Sequence, residues 1–212
     1  MTRLPLCLLL AFGSSLVLKS EEPFDPQRLE KLVVVPACND PMQLQVLDDG
    51  RVLFIERAGA VKIAGDPHSP VSQVGTIPVA VFGEVGLLGL QCDPGFSENG
   101  WIYLFFCPQE RPQKMRLSRF TLREDRIIEN SEIEMLSYPI DVEGAIHMGG
   151  GMCMEARGNL LIGTGDNCPP IPELPIDFRS GRENFDALRT AGNSMDLRGK
   201  ILRITPQPDG GY

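Results

Sequence analysis

The residues best suited to move a proton in this chain are one histidine and one aspartate. The 212-residue chain contains two histidines. His68 lies in the turn-like stretch Asp66-Pro67-His68-Ser69-Pro70 and reads as a surface residue. His147 is different: it stands just before Gly149-Gly150-Gly151, and Asp166 follows it by 19 residues. The turn residues around Ala156-Arg157 lie midway, so a hairpin centred there returns His147 and Asp166 to the same end. An imidazole titrates near neutrality, and a neighbouring carboxylate orients it and raises its proton affinity, which suits a general base. The same pair also serves as a structural hydrogen bond closing a hairpin, and the residues alone leave both readings open. The three glycines are expected to let a ligand approach the backbone closely.

Such a pair needs a regular scaffold, and a repeat supplies one. A polar turn ending in glycine, followed by an apolar strand, occurs three times. The copies are Asp48 to Glu56, Asp93 to Phe105 and Glu155 to Gly163, and their turn glycines at 50, 100 and 158 are 50 and 58 residues apart. Apolar runs precede each copy (Leu44 to Leu47, Gly86 to Cys92, Gly149 to Met154), and a further strand follows each (Ala60 to Ile63, Met115 to Phe120, Gly199 to Ile204). These units predict three- or four-stranded antiparallel meanders of roughly 50 residues, and a meander alone cannot bury both faces. Stacking the sheets about an axis buries them, which predicts an all-β fold with about three β-propeller blades. A β-sandwich also places turns every few residues and is the competing architecture.

Residues 31–35 read as one more strand that completes a blade. The stretch from Cys168 to Leu197 interrupts the third unit, first with Pro169, Pro170, Pro172 and Pro175, then with Arg179, Arg182, Glu183, Asp186 and Arg189. A long loop on one face of a propeller is where binding residues gather, and a solvated crossover is equally compatible. After Pro208-Asp209-Gly210-Gly211 the chain is expected to stop within the domain, so residues 21–212 read as the N-terminal part of a propeller truncated at the C-terminus.

Composition narrows the setting. Gly 22 and Pro 18, spread without a strict period, fit many turns and short strands. Residues 1–20 read as a secretory signal peptide: Arg3 gives a positive start, and Leu6 to Phe12 with Leu16 to Leu18 give an interrupted apolar core. This predicts a secreted or periplasmic protein. No second stretch is apolar enough to cross a bilayer, so no transmembrane segment is expected. The net charge of −8 disfavours nucleic acid as a partner. Loss of Cys7 with the leader leaves Cys38, Cys92, Cys107, Cys153 and Cys168, an odd number without a Cys-x-x-Cys pair, which disfavours a zinc site. Disulfides, if formed, draw on these five; Cys92 with Cys107 and Cys153 with Cys168 share a spacing of 15 that reflects the repeat.

Three phrases resemble the glucose/sorbosone dehydrogenase family of soluble quinoprotein sugar dehydrogenases. They are Glu84 to Leu90 followed by Asp93-Pro94-Gly95-Phe96, His147 to Gly151 followed by Gly158-Asn159-Leu160 and Gly165-Asp166-Asn167, and Asn193 to Ile204. They stand in the family's order, and the resemblance covers about residues 30 to 212. It implies a six-bladed propeller in the complete domain, with pyrroloquinoline quinone (PQQ) over the central channel and calcium beside it. It also implies a sugar or polyol substrate and an external electron acceptor. His147 matches the family's histidine that takes the proton from the sugar's anomeric hydroxyl while hydride passes to the quinone, and Asp166 matches its supporting aspartate. A pocket-lining glutamine falls at Glu84, whose carboxylate would accept hydroxyl hydrogen bonds, and Asn167 is read as a further pocket residue. The family's basic clamp for PQQ and its calcium ligands are expected mainly beyond residue 212. A non-catalytic carbohydrate- or protein-binding propeller and a metal-dependent lactonase using Glu84, Asp166 and Asn167 are the alternative functions.

Overall fold

The structure is a computed structural model that describes residues 29–65, 69–169, 177 and 179–212. The apolar leader with Cys7, His68, and Pro170, Pro172 and Pro175 lie outside the described residues. The chain divides into two compact units, Met1–Leu32 and Val33–Tyr212. In the first, residues 29–32 are described and form neither strand nor helix. The second carries every described sheet.

The second unit builds three antiparallel sheets in chain order. The first is β1 (Pro41–Val46), β2 (Val52–Glu56), β3 (Ala60–Ala64) and β4 (Ser72–Thr76), each paired with the next. The second contains β5 (Leu87–Cys92), β6 (Trp101–Phe106), β7 (Lys114–Arg123), the two-residue β8 (Arg126–Ile127) and β9 (Ile133–Pro139). There β7 pairs with β6, β9 and, at its far end, β8. The third is β10 (Gly149–Met154), β11 (Leu160–Thr164) and β12 (Ile201–Ile204). The first strands of the sheets lie side by side, with β5 packed against both β1 and β10. These are successive blades of a β-propeller, stacked in series rather than as two facing layers. Residues 31–35 form no strand, contrary to the reading above: no described strand edge pairs with them.

The repeat works through its turn glycines and its middle blade. Gly50, Gly100 and Gly158 each close the link into a blade's second strand, at φ of 85°, 68° and 80°, where a side chain would be strained. In the middle blade, Ile102, Leu104 and Phe106 of β6 join Leu53, Ile55, Val61 and Leu90 in the core shared with the first blade. Tyr103 and Phe105 join Met148, Met152, Leu160 and Ile162 in the core shared with the third. Ile102 to Phe106 are all 2% exposed or less, so β6 is a continuous apolar run because neither face meets water.

Near the axis the strands are tied by a polar side chain. Gln43 of β1 accepts the Leu90 N–H (2.9 Å) and donates its amide to the Met152 carbonyl (3.2 Å), so one residue links all three blades. Farther out, the Arg119 guanidinium stacks 3.9 Å over the Trp101 ring and donates to the Gln207 and Pro208 carbonyls, both at 2.9 Å. That contact straps the segment after β12 onto the middle blade.

All five described cysteines are free. In the hairpin of β5 and β6, Cys92 pairs opposite Ile102 while Cys107 bonds to Gly86 at the other end. Their separation is several strand residues at about 3.3 Å each, far beyond the roughly 7 Å that a disulfide spans. Cys153 and Cys168 likewise lie toward opposite ends of their hairpin. Burial pushes the Cys92 thiol up to about 12 and the Cys107 thiol up to about 11.

Two outcomes follow. Alkylation of the native protein with mass mapping should label Cys38 and Cys153 first, both being exposed, and reach Cys107 and Cys168 only on unfolding. Gln43→Ala leaves the Leu90 N–H without its acceptor and should cost about 1–3 kcal/mol, read as a lower urea midpoint at unchanged slope.

Candidate active site

The site assembles where the first strands of the blades begin. His147 precedes β10 and Asp166 follows β11, and the pairing of Gly149 with Thr164 brings both to that end. His147 Nδ1 lies 3.2 Å from Asp166 Oδ1, and the same oxygen accepts the Cys168 N–H at 3.1 Å. Asp166 is thus fixed by its own turn before it fixes the imidazole. The His147 side chain is 45% exposed and that of Asp166 27%, so the ring is open to a ligand on its free side. Among the described residues no group meets Nε2. A neutral imidazole that donates Nδ1–H to Asp166 keeps Nε2 as a proton acceptor.

His147 adopts φ of 54°, an uncommon conformation for a residue with a side chain. Three contacts hold it there. Its N–H donates to Glu84 Oε2 at 2.5 Å, and its carbonyl accepts the Asn167 N–H at 3.4 Å. The third is steric: a Cβ at Gly165 would sit 1.4 Å from the His147 carbonyl oxygen, so only glycine permits that approach. The glycines after His147 serve packing more than access. A Cβ on Gly149 would meet the Gly163 carbonyl at 2.5 Å, and one on Gly150 would meet Leu88 at 2.8 Å; of the three, Gly151 alone has nothing described within 4 Å.

The structure separates the other two predicted residues. Glu84 is exposed and reaches the site, but one carboxylate oxygen is committed to the His147 main chain. Asn167 is 1% exposed, and its amide is clamped to Asp141: its Oδ1 accepts the Asp141 N–H (2.6 Å) and its Nδ2 donates to the Asp141 carbonyl (3.2 Å). It braces the loop before His147. Sequence reasoning missed Asp40 and Arg57, which line a cavity of about 390 Å³ with Met42, Gly83, Glu84, Leu88, Met148 and Gly149. Arg57 directly follows β2, and that strand-end position is the signal that could have placed it beside the start of β1.

The charged part of the insertion closes over the same end. The Asp141 carboxylate takes the guanidinium of Arg189 and that of the buried Arg198 (2.9 Å). Arg198 also chelates Asp196, a hydrogen bond that lowers the Asp196 carboxyl below the usual range. Arg179 and Arg182 both pair with Asp177, and the Arg179 hydrogen bond lowers that carboxyl strongly. Lys200 gives its ammonium to the carbonyls of Thr190, Ala191 and Arg198. Among the described residues no three His, Cys, Asp or Glu side chains are grouped to hold a metal ion.

Comparison with known proteins agrees with this architecture. The family model for Glucose / Sorbosone dehydrogenase matches residues 38–211, and the chain belongs to that family. No match is found among curated proteins. A solved structure from Thermus thermophilus, described as a putative oxidoreductase (glucose dehydrogenase), superposes with a TM-score of 0.65 at 27% identity, over 84% of this chain and 47% of that one. The PQQ-bound form of an aldose sugar dehydrogenase from Streptomyces coelicolor gives 0.65 at 24% identity, over 85% and 48%. The apo-form of the soluble aldose sugar dehydrogenase from Escherichia coli gives 0.62 at 20%, over 82% and 45%. The last two are likenesses of fold. The chain spans about half the length of these structures.

Gly165→Ala tests the seating of His147. The added methyl group must displace the His147 carbonyl, so the variant should lose about 1–3 kcal/mol of stability in thermal denaturation and move the His147 imidazole resonances.

Proposed function

We propose that this chain forms part of an exported dehydrogenase that oxidises a sugar or polyol hydroxyl with PQQ as electron acceptor, and that His147 is its general base. The observation that carries the reading is a solvent-facing imidazole with Nδ1 held by Asp166 and Nε2 open. The substrate hydroxyl gives its proton to Nε2, and the imidazolium that forms is stabilised by the Asp166 carboxylate. The free oxygen of Glu84 is available to a neighbouring sugar hydroxyl. Family membership and the Thermus similarity support the reaction class. Export rests on the apolar leader; no helix among the described residues is long and apolar enough to cross a membrane.

PQQ, when bound, supplies a two-electron acceptor. The described residues do not by themselves fit its three carboxylates. The cavity beside His147 is lined by one cation, Arg57, already committed to Asp40 and Gly83, against the carboxylates of Asp40 and Glu84. The chain's own contribution is therefore the proton transfer and the seating of the group that performs it.

The protein's full chain, incubated with PQQ and calcium and assayed with an artificial acceptor over a panel of aldoses, tests this. His147→Ala should lower kcat by roughly 10²–10⁴-fold, the usual worth of a positioned acid or base. Asp166→Asn should lose less, because Nε2 remains. Wild-type turnover in His147→Ala would remove the role. A wild-type protein that neither turns over nor retains quinone absorbance would favour a binding propeller.

A further inference from the structure

We propose that Arg57 is a positioning residue for His147, acting from the first blade through the Gly83–Glu84 turn. The proposal rests on the reading of His147 as the base. Arg57 sits between two strand starts. Its N–H donates to the Asp40 carbonyl (3.0 Å) and its Nε to the Asp40 carboxylate (2.5 Å), both just ahead of β1. Its carbonyl accepts the Leu87 N–H (2.8 Å) at the start of β5, and a second guanidinium nitrogen donates to the Gly83 carbonyl (2.9 Å).

The turn that Arg57 grips is the one that grips His147. Glu84 donates its N–H to the Ala145 carbonyl (2.8 Å) and accepts the His147 N–H on its carboxylate (2.5 Å). The two bonds run in opposite directions between the same short segments, so a shift of the turn moves Ala145 to His147 with it. A continuous relay results: Asp40, Arg57, Gly83, Glu84, His147, Asp166. It crosses all three blades at one end of the axis; Gly83 and Glu84 are joined through the chain, and the other four links are hydrogen bonds of 3.2 Å or less. Arg57 is suited to the position because its planar fork donates in two fixed directions at once, to a carboxylate on one side and a carbonyl on the other. A lysine ammonium offers a single nitrogen and cannot span both.

The chain has only two histidines, which makes nuclear magnetic resonance of ¹⁵N-labelled histidine a direct test, with His68 as internal reference. The readout needs no turnover, so a protein inactive towards sugars leaves it intact. In the full chain the His147 amide, bonded to a carboxylate, should resonate downfield. Glu84→Ala should move it upfield, and Glu84→Gln, which keeps an accepting oxygen, should restore most of the shift. Arg57→Ala and Arg57→Lys should both move the His147 amide and imidazole signals while those of His68 stay in place. Wild-type His147 signals in Arg57→Ala, beside moved signals in Glu84→Ala, would overturn the role of Arg57. Unmoved signals in Glu84→Ala would overturn the whole relay. If Arg57→Ala unfolds the chain, Arg57→Lys decides: wild-type His147 signals there overturn the proposal.

Discussion

Burial of the middle blade on both faces is the constraint from which the rest of the architecture follows. A sheet with apolar side chains on each face needs a partner on each, and here Leu53 and Ile55 cover one side of β6 while Leu160 and Ile162 cover the other. Each fully buried aliphatic side chain of this kind contributes about 1.5–3 kcal/mol, so the stacking direction is set by the cores between blades. Once the blades stack, their first strands converge. Backbone then approaches backbone so closely that a Cβ on Gly89 would fall 2.5 Å from the Gly150 carbonyl. The polar Gln43 bridge fits in that narrow space because its amide satisfies one main-chain donor and one main-chain acceptor at once.

Convergence also explains where the chemistry sits. Each first strand is preceded by a residue in left-handed conformation: Asp40 at φ 56° before β1, Gly83 at 49° before β5 and His147 at 54° before β10. They stand one, four and two residues ahead of their strands, all at the end where the first strands begin. In the third blade the left-handed residue carries an imidazole. Holding a side chain there is costly, and the cost is offset by the Glu84 and Asn167 contacts around its main chain. The same contacts fix the main chain from which the ring projects toward Asp166. The fold thus supplies preorganisation at His147 as a consequence of strand convergence rather than as an added device.

How much of this could be read from the amino acids depends on the kind of interaction. The repeat was legible because turn glycines and apolar strands recur in chain order, and the His147–Asp166 pair because a hairpin folds onto itself. The fourth strands were not: β4 has a single buried apolar residue, Val74, and so little pattern. The bonds of Asn167 to the Asp141 main chain were not legible, because a buried side chain bonded to main chain looks, in sequence, the same as a ligand contact. Glu84 was found as a residue, but its bond to a backbone N–H 63 positions away was not legible. Arg57 was missed because one of its partners, Gly83, belongs to a turn that only the stacking of blades brings to it, and its place beside Asp40 across the β1–β2 hairpin was not drawn from the pattern.

The insertion shows the same limit from the other side. Its length and mixed charge left a binding loop and a solvated crossover equally open, because charge and loop length are what sequence displays. In the fold each named cation has a carboxylate of its own chain: Arg179 and Arg182 on Asp177, and Arg189 on Asp141. Asp141 in turn holds Arg198 and, through its main chain, Asn167, which also binds the His147 carbonyl. The loop's charges therefore act inward, fastening the third blade's crossover onto the segment that presents His147. A cation used in this way is already charge-compensated, so a second carboxylate gains less from it. On the proposed reading, an anionic ligand at this end of the axis draws its counter-charges mainly from other groups, while a neutral, hydroxyl-rich ligand would meet the His147 imidazole and the carboxylates of Asp166 and Glu84.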